Sequence, residues 1–190
     1  MTKYYFRLAL LIGSIIGFFA LIGALLPRSY SINCQIGIDA PPDIVFSQIN
    51  DLNNWKEWSS WNPARIEGLK VHVVGDAGEG NAMQWQDRRG EGKLWITNSQ
   101  PNSGIEYRLR FDRFPEMTSK MTLTDEGETT RVEWISQGRL PGGPFYGYLA
   151  PFFPIHLQYE YDDCLLRLKE LVETPQLPQN AAGEVESGEE

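Results

Sequence analysis

Residues 8–26 read LALLIGSIIGFFALIGALL, a run with no charged side chain and with Ser14 as its one polar residue. A helix over these nineteen positions, at ~1.5 Å per residue, is roughly 29 Å long, close to the ~30 Å hydrocarbon core of a bilayer. The run therefore predicts a transmembrane anchor within residues 1–28 and a separate fold behind it. A cleaved signal peptide is the rival reading, because Lys3 and Arg7 precede the run. Against it, the stretch exceeds the usual 7–15 apolar residues and lacks a small-x-small cleavage site. Lys3 and Arg7 together outweigh Arg28 on the other side. That bias predicts a cell-membrane protein with a cytoplasmic N-terminus and the remaining chain on the outer (periplasmic) face. Ala9, Gly13 and Gly17 form a small-xxx-small series suited to a weak homodimer through this helix.

The chain beyond the anchor is long enough for one domain with its own core. The formal net charge is -8, which argues against nucleic acid, since phosphate binding needs clustered Lys and Arg. Some of the acidity is local. Residues 174–190, TPQLPQNAAGEVESGEE, have no basic or aromatic side chain and too little apolar surface to offset their ordering entropy, so a disordered tail is expected. Two cysteines make neither a disulfide framework nor a zinc site. Cys34 and Cys164 both fall on apolar positions and are expected to be buried free thiols, with a single bridge as the alternative.

Along the rest of the chain the pattern is mostly of period two. Ile32, Cys34, Ile36 and Ile38 share one face of a first strand. The Asp39–Asp43 stretch with its two prolines stops it and opens a short helix. A second helix, capped by Asp51 or Asn53, is predicted through Trp55, Trp58 and Trp61. Six further strands are predicted, at about 69–75, 82–87, 92–99, 104–112, 117–125 and 129–138. In the clearest, Ile105, Tyr107, Leu109 and Phe111 alternate with Glu106, Arg108, Arg110 and Asp112. Regular strands divided by turns imply an antiparallel meander with one buried face. Residues 144–173 read as a closing helix, interrupted early by Pro151 and Pro154, with Leu157, Tyr161, Cys164, Leu165, Leu168, Leu171 and Val172 on one stripe.

The segments IDAPPDIVFSQINDLNNWKEWSSWNP, GEGNAMQWQ, GEGKLWITNSQPNSGIEYRLRF, ETTRVEWISQGRL and CLLRLKELVE resemble, in order and spacing, the polyketide cyclase/dehydrase and lipid-transport superfamily (SRPBCC, START-like). The resemblance covers about residues 32–173 and implies an α+β helix-grip domain over 29–173. In that fold a curved antiparallel sheet of about seven strands wraps a long C-terminal helix, here preceded by one transmembrane helix. The stretch GGPFYGYLAPFFPIHLQYEYDD is richer in proline and aromatics than the start of that closing helix usually is.

The same resemblance implies a hydrophobic small molecule or lipid held between sheet and helix, without metal or cofactor. Residues on the inward parity would line that space: Trp85, Trp95, Tyr107, Leu109, Phe111, Met121, Leu123 and Trp134. Phe145, Tyr148, Phe152, Phe153 and His156 would lie over its mouth. Alternation alone does not distinguish a hollow space from a filled one, and a filled core would suit a protein-interaction module instead. Trp55, Trp58 and Trp61 either pack under the sheet or flank the entrance. No nucleophile motif, phosphate loop or metal-ligand spacing is present. An enzyme of cyclase/dehydrase or hydrolase type would have to draw its acid–base pair from His156, Tyr107 and Tyr148. His72 falls on the solvent parity of its strand.

Overall fold

The computed structural model describes residues 2–88, 90–112 and 114–174. The expected disordered tail thus lies, after Thr174, outside the described residues. Helix α1 (Thr2–Leu25) starts before the apolar run and takes in Lys3 and Arg7. Its side chains are mostly exposed, and it is long and apolar enough to cross a membrane, a test that signal sequences also pass.

Strand β1 (Ser29–Ile38) comes directly after it, then the short helices α2 (Pro42–Ile49) and α3 (Trp55–Trp58). Pro42 and Asp43 occupy the first turn of α2, where proline costs no hydrogen bond and a carboxylate suits the helix dipole. Helix α3 is shorter than predicted, because Ser59 turns to an extended conformation before Trp61 is reached. Asp51 does not cap it. Its carboxylate instead accepts the Asn53 N–H at 2.9 Å, closing a local turn.

The meander comprises β2 (Lys70–Val74), β3 (Ala82–Asp87), β4 (Gly90–Gln100), β5 (Gly104–Phe111), β6 (Met117–Asp125) and β7 (Thr130–Arg139). All seven strands form one antiparallel sheet in the order β1-β7-β6-β5-β4-β3-β2. The register Ser29↔Arg139, Cys34↔Trp134 and Ile38↔Thr130 brings the first strand beside the last. One end of the sheet therefore gathers the start of β1, the ends of β3, β5 and β7, and the starts of β4 and β6. This is the end at which α1 enters.

Pro151 separates α4 (Tyr146–Leu149) from α5 (Phe153–Glu173), and Pro154 lies in the first turn of α5. Proline there starts the helix instead of breaking it. Helix α5 lies along the inner face, burying Tyr161, Cys164, Leu165 and Leu168. Arg167 Nε donates to Trp58 O at 2.8 Å and ties α5 to α3. This is the α+β helix-grip arrangement: a seven-stranded antiparallel sheet closed over one long helix.

Candidate functional site: an aromatic opening

The middle of the grip is filled by aromatic rings. Trp55, Trp58, Tyr107 and Trp134 are buried with almost no exposed surface. Trp134 stacks on Tyr161 at 4.1 Å between centroids, and Trp55 meets Tyr107 edge-on at 5.3 Å. The polar atoms inside are paired with one another. Trp134 Nε1 donates to Tyr107 Oη at 3.0 Å, and Ser119 and Ser136 hydroxyls lie 2.6 Å apart across β6 and β7. The Tyr107 hydroxyl lies beside Ser119 and the Tyr161 hydroxyl beside Ser136 and Ser119, so the buried hydroxyls form one cluster. Burial pushes the Tyr161 hydroxyl up to about 12 and the Tyr107 hydroxyl well above its usual value. Both are thus held neutral, as buried groups in a self-satisfied network should be.

A second set of rings runs outward from this cluster to the end of the sheet where α1 enters. Trp55 touches Trp61 (5.9 Å), Trp61 touches Trp85 (5.3 Å), and Trp85 touches Phe111 (5.4 Å). Phe111 meets Phe114 (6.4 Å), Phe114 stacks on Phe153 (6.3 Å), and Phe153 meets Tyr30 (4.9 Å). The path crosses the ends of β3 and β5, the loop after β5, the start of α5 and the start of β1. Phe111 is 39% and Phe114 40% exposed, so this is an opening edged with apolar rings. Two of its rings lie over glycines directly opposite them in the sheet. Trp85 pairs with Gly92 and Tyr30 with Gly138, and a Cβ at either glycine would collide with the ring. Glycine at these two positions is what lets the aromatics lie flat on the strand beside them.

The predicted lining divides three ways. Tyr107, Leu109, Met121, Leu123 and Trp134 are on the inner face but sealed in the core. Phe111 belongs to the opening, together with Tyr30, Trp61 and Phe114, which strand parity did not single out, and Trp85 is buried directly behind Phe111. Trp95 is on the outer face, correcting its expected parity. Leu94 and Ile96 on either side of it are buried, and Trp95 pairs with exposed Arg108. In the apolar run Leu94-Trp95-Ile96 two aliphatic side chains outweigh one ring in deciding which face is buried. The tryptophan segment also divides, with Trp55 and Trp58 in the core and Trp61 at the opening.

The residues placed over the mouth are mostly elsewhere. Phe153 takes part in the ring path, whereas Phe145 is 75% and Phe152 69% exposed. His156 is exposed on α5, Tyr107 is fully buried, and Tyr148 donates its hydroxyl hydrogen to Phe19 O of α1 at 2.8 Å. Tyr107 is in the core, His156 faces solvent and Tyr148 is bonded to α1, and among the described residues no hydrogen bond joins any two of them into the pair that acid–base chemistry requires. A depression of about 430 Å³ lies on the outer face at the same end of the sheet, lined by Lys70, His72, Gln84, Lys93 and Arg110 among others. Val71 and Trp85 also line it, but charged and amide side chains predominate.

Cys34 and Cys164 are both buried free thiols. Burial, reinforced by Asp162, raises the Cys34 thiol to about 12, and burial raises that of Cys164. Neither is a reactive thiolate. Among the described residues no cluster of three or more metal-ligating side chains occurs.

The family model for polyketide cyclase/dehydrase and lipid transport matches residues 31–173. The chain belongs to that family. Similar solved structures include truncated norcoclaurine synthase from Thalictrum flavum, at TM-score 0.58 and 12% identity, covering 80% of this chain and 98% of that one. Protein CV1439 from Chromobacterium violaceum gives TM-score 0.57 at 20% identity, covering 76% and 97%. The Aha1 dimer from Colwellia psychrerythraea gives 0.56 at 18%, covering 76% and 96%. At these identities the likeness is one of fold. No curated protein matches the sequence.

The polyketide cyclase/dehydrase and lipid-transport domain here is joined closely to the helix before it. Gly23 of α1 and Gly147 of α4 face each other, and a Cβ on Gly23 would strike Pro144 O while one on Gly147 would strike Gly23 O. By contrast Gly13 and Gly17 of α1 have no other part of the chain within 4 Å of where a Cβ would stand. The glycine of α1 used within the monomer is Gly23, outside the small-xxx-small series.

Proposed function

We propose that this chain is a membrane-tethered, non-catalytic binding domain for a hydrophobic small molecule or lipid, acting as carrier, chaperone or sensor. The observation that carries the reading is the ring path from Trp61 to Tyr30, open to solvent at Phe111 and Phe114 and set at the end of the sheet from which α1 leaves. The inner cluster uses its hydrogen bonds internally, so the ligand's apolar part lies along Phe111, Phe114 and Phe153, with the buried Trp85 behind them, and does not enter the core. Tyr30 Oη, which donates to Met117 Sδ at 3.4 Å, is a polar atom on the β1 side of the opening. An apolar ligand loses little in passing from a bilayer to such a surface, because both ends of the transfer are apolar and the interfacial crossing is short. Membership of the lipid-transport family supports the ligand class.

The test uses the full chain in phospholipid nanodiscs containing a diazirine-bearing fatty acid, irradiated and mapped by peptide mass spectrometry. Adducts on the peptides carrying Trp85, Phe111 and Phe114 are expected, falling several-fold in Phe111→Ala. Adducts confined to α1, or unchanged by Phe111→Ala, overturn the assignment of this opening.

A further inference from the structure

Between Arg139 and Glu160 the chain has no Asp, Glu, Lys or Arg. The apolar side chains of this stretch are not hidden in the domain. Phe145, Leu149, Phe152 and Ile155 are all more than half exposed, in the loop before α4, on α4 itself and across the start of α5. A contiguous exposed apolar patch of this kind marks an interaction surface. Its position says with what.

The α4 segment packs against the last turns of α1 through the Gly23–Gly147 contact, and Tyr148 Oη donates to Phe19 O. Phe19 precedes Leu25, the last residue of α1, by six positions, and at ~1.5 Å per residue it lies about 9 Å below the end of the helix. The span Lys3–Leu25 has 23 residues, so its length of roughly 35 Å exceeds a ~30 Å hydrocarbon core by only a few ångström. Whatever surrounds α1 at the level of Phe19 therefore also surrounds α4. Side chains of interfacial segments reach about 5–10 Å into the boundary between headgroups and acyl chains, the depth that this contact fixes. Tyr146, Tyr148 and Tyr159 bring the amphipathic rings common at that level. Arg28, between α1 and β1, has a buried Nε without a hydrogen-bond partner, at the height where phosphate headgroups begin.

We infer that residues 141–155 form an interfacial membrane segment, inserted into the same leaflet as the C-terminal end of α1, which holds the aromatic opening against the lipid. The occupant of this surface is a phospholipid leaflet. The inference rests on the reading of α1 as a membrane anchor and adds a second, separately testable attachment. It also gives α1 a role that a cleaved leader lacks, since α1 is a packing partner of the folded domain.

The experiment is site-directed spin labelling of the full chain in phosphatidylcholine–phosphatidylglycerol nanodiscs. Labels go on Leu149→Cys and Phe152→Cys, with Leu11→Cys in α1 and Glu128→Cys at the far β6–β7 turn as references. Cys34 and Cys164 are buried, and unsubstituted protein gives the labelling background. Collision with lipid-soluble oxygen and with a water-soluble nickel chelate is read at each site. The expected result is high oxygen and low nickel accessibility at 149 and 152, as at 11, with the reverse at 128. Labels at 149 and 152 open to nickel while 11 is in lipid overturn this inference and leave the anchor intact. Position 11 open to nickel overturns both. Protection from both reagents at 149 and 152 overturns the inference in favour of a protein contact.

Discussion

The two aromatic groups of this domain are built from the same residue types and behave oppositely. In the inner group Trp55, Trp58, Tyr107, Trp134 and Tyr161 pack ring on ring, and the indole N–H groups donate to the Ile49 and Gln48 carbonyls and to Tyr107 Oη. In the outer group Trp61, Trp85, Phe111, Phe114, Phe153 and Tyr30 touch in single file, with Trp85 buried and Phe111 and Phe114 open to solvent. Dense mutual packing makes the first a stabilising core. A single file of rings on glycine-backed strand ends yields little stability but a surface that an apolar molecule can cover. The comparison separates what holds the domain together from what it offers to a ligand.

The largest effect expected from breaking that comparison is Trp134→Ala. It removes a ring in contact with Trp55, Trp58 and Tyr161 and leaves Tyr107 Oη without the indole donor. A cost of about 3–5 kcal/mol is expected, read as the shift of a urea unfolding midpoint for the full chain in micelles.

Alkali should act on the same group. The Tyr161 hydroxyl is raised from 10.0 to about 12, chiefly by burial. Since the neutral form is favoured in the fold, the stability it contributes is fully present below pH 10 and is lost as pH rises toward 12. A shift of that size corresponds to ~3 kcal/mol. Cys34, raised from 9.0 to about 12, starts the decline near pH 9. Unfolding midpoints should therefore stay flat through neutrality and fall across pH 9–12, and Cys34→Ala should make the fall between pH 9 and 10 shallower, with the buried Cys164 thiol supplying the remainder.

The smallest effect on stability is expected in the outer group. Phe114→Ala, at a side chain 40% exposed, should cost less than ~1 kcal/mol. Its photolabelling by the diazirine fatty acid should nonetheless fall several-fold at Phe111 and Phe153. A large loss of stability with unchanged labelling would reverse the roles given to the two groups.

Part of this was legible in the sequence. Alternation along each strand predicted β2–β7 closely, and the stripe from Leu157 to Val172 predicted the buried side of α5. Tyr107, Met121, Leu123 and Trp134 fell on the inner face as their parity required. Trp95 did not, because neighbouring aliphatics set the parity of its strand. Phe114, in a loop, and Tyr30, at a strand end, carry no periodic signal. The one local sign of the opening was glycine at 92 and 138, which becomes informative only when the register sets Trp85 and Tyr30 opposite.

The sequence by itself determined the apolar helix, the order and spacing of the strands, the family and the face most regular side chains would take, Trp95 excepted. These come from backbone periodicity and short-range chemistry, which are written locally. The tertiary structure alone decided that the middle of the grip is filled, that the rings at one end stay open, and that α4 rests on α1 beside Phe19. Each of these depends on which elements meet across long sequence separations. A ring becomes core or opening according to how many of its sides the rest of the chain happens to cover.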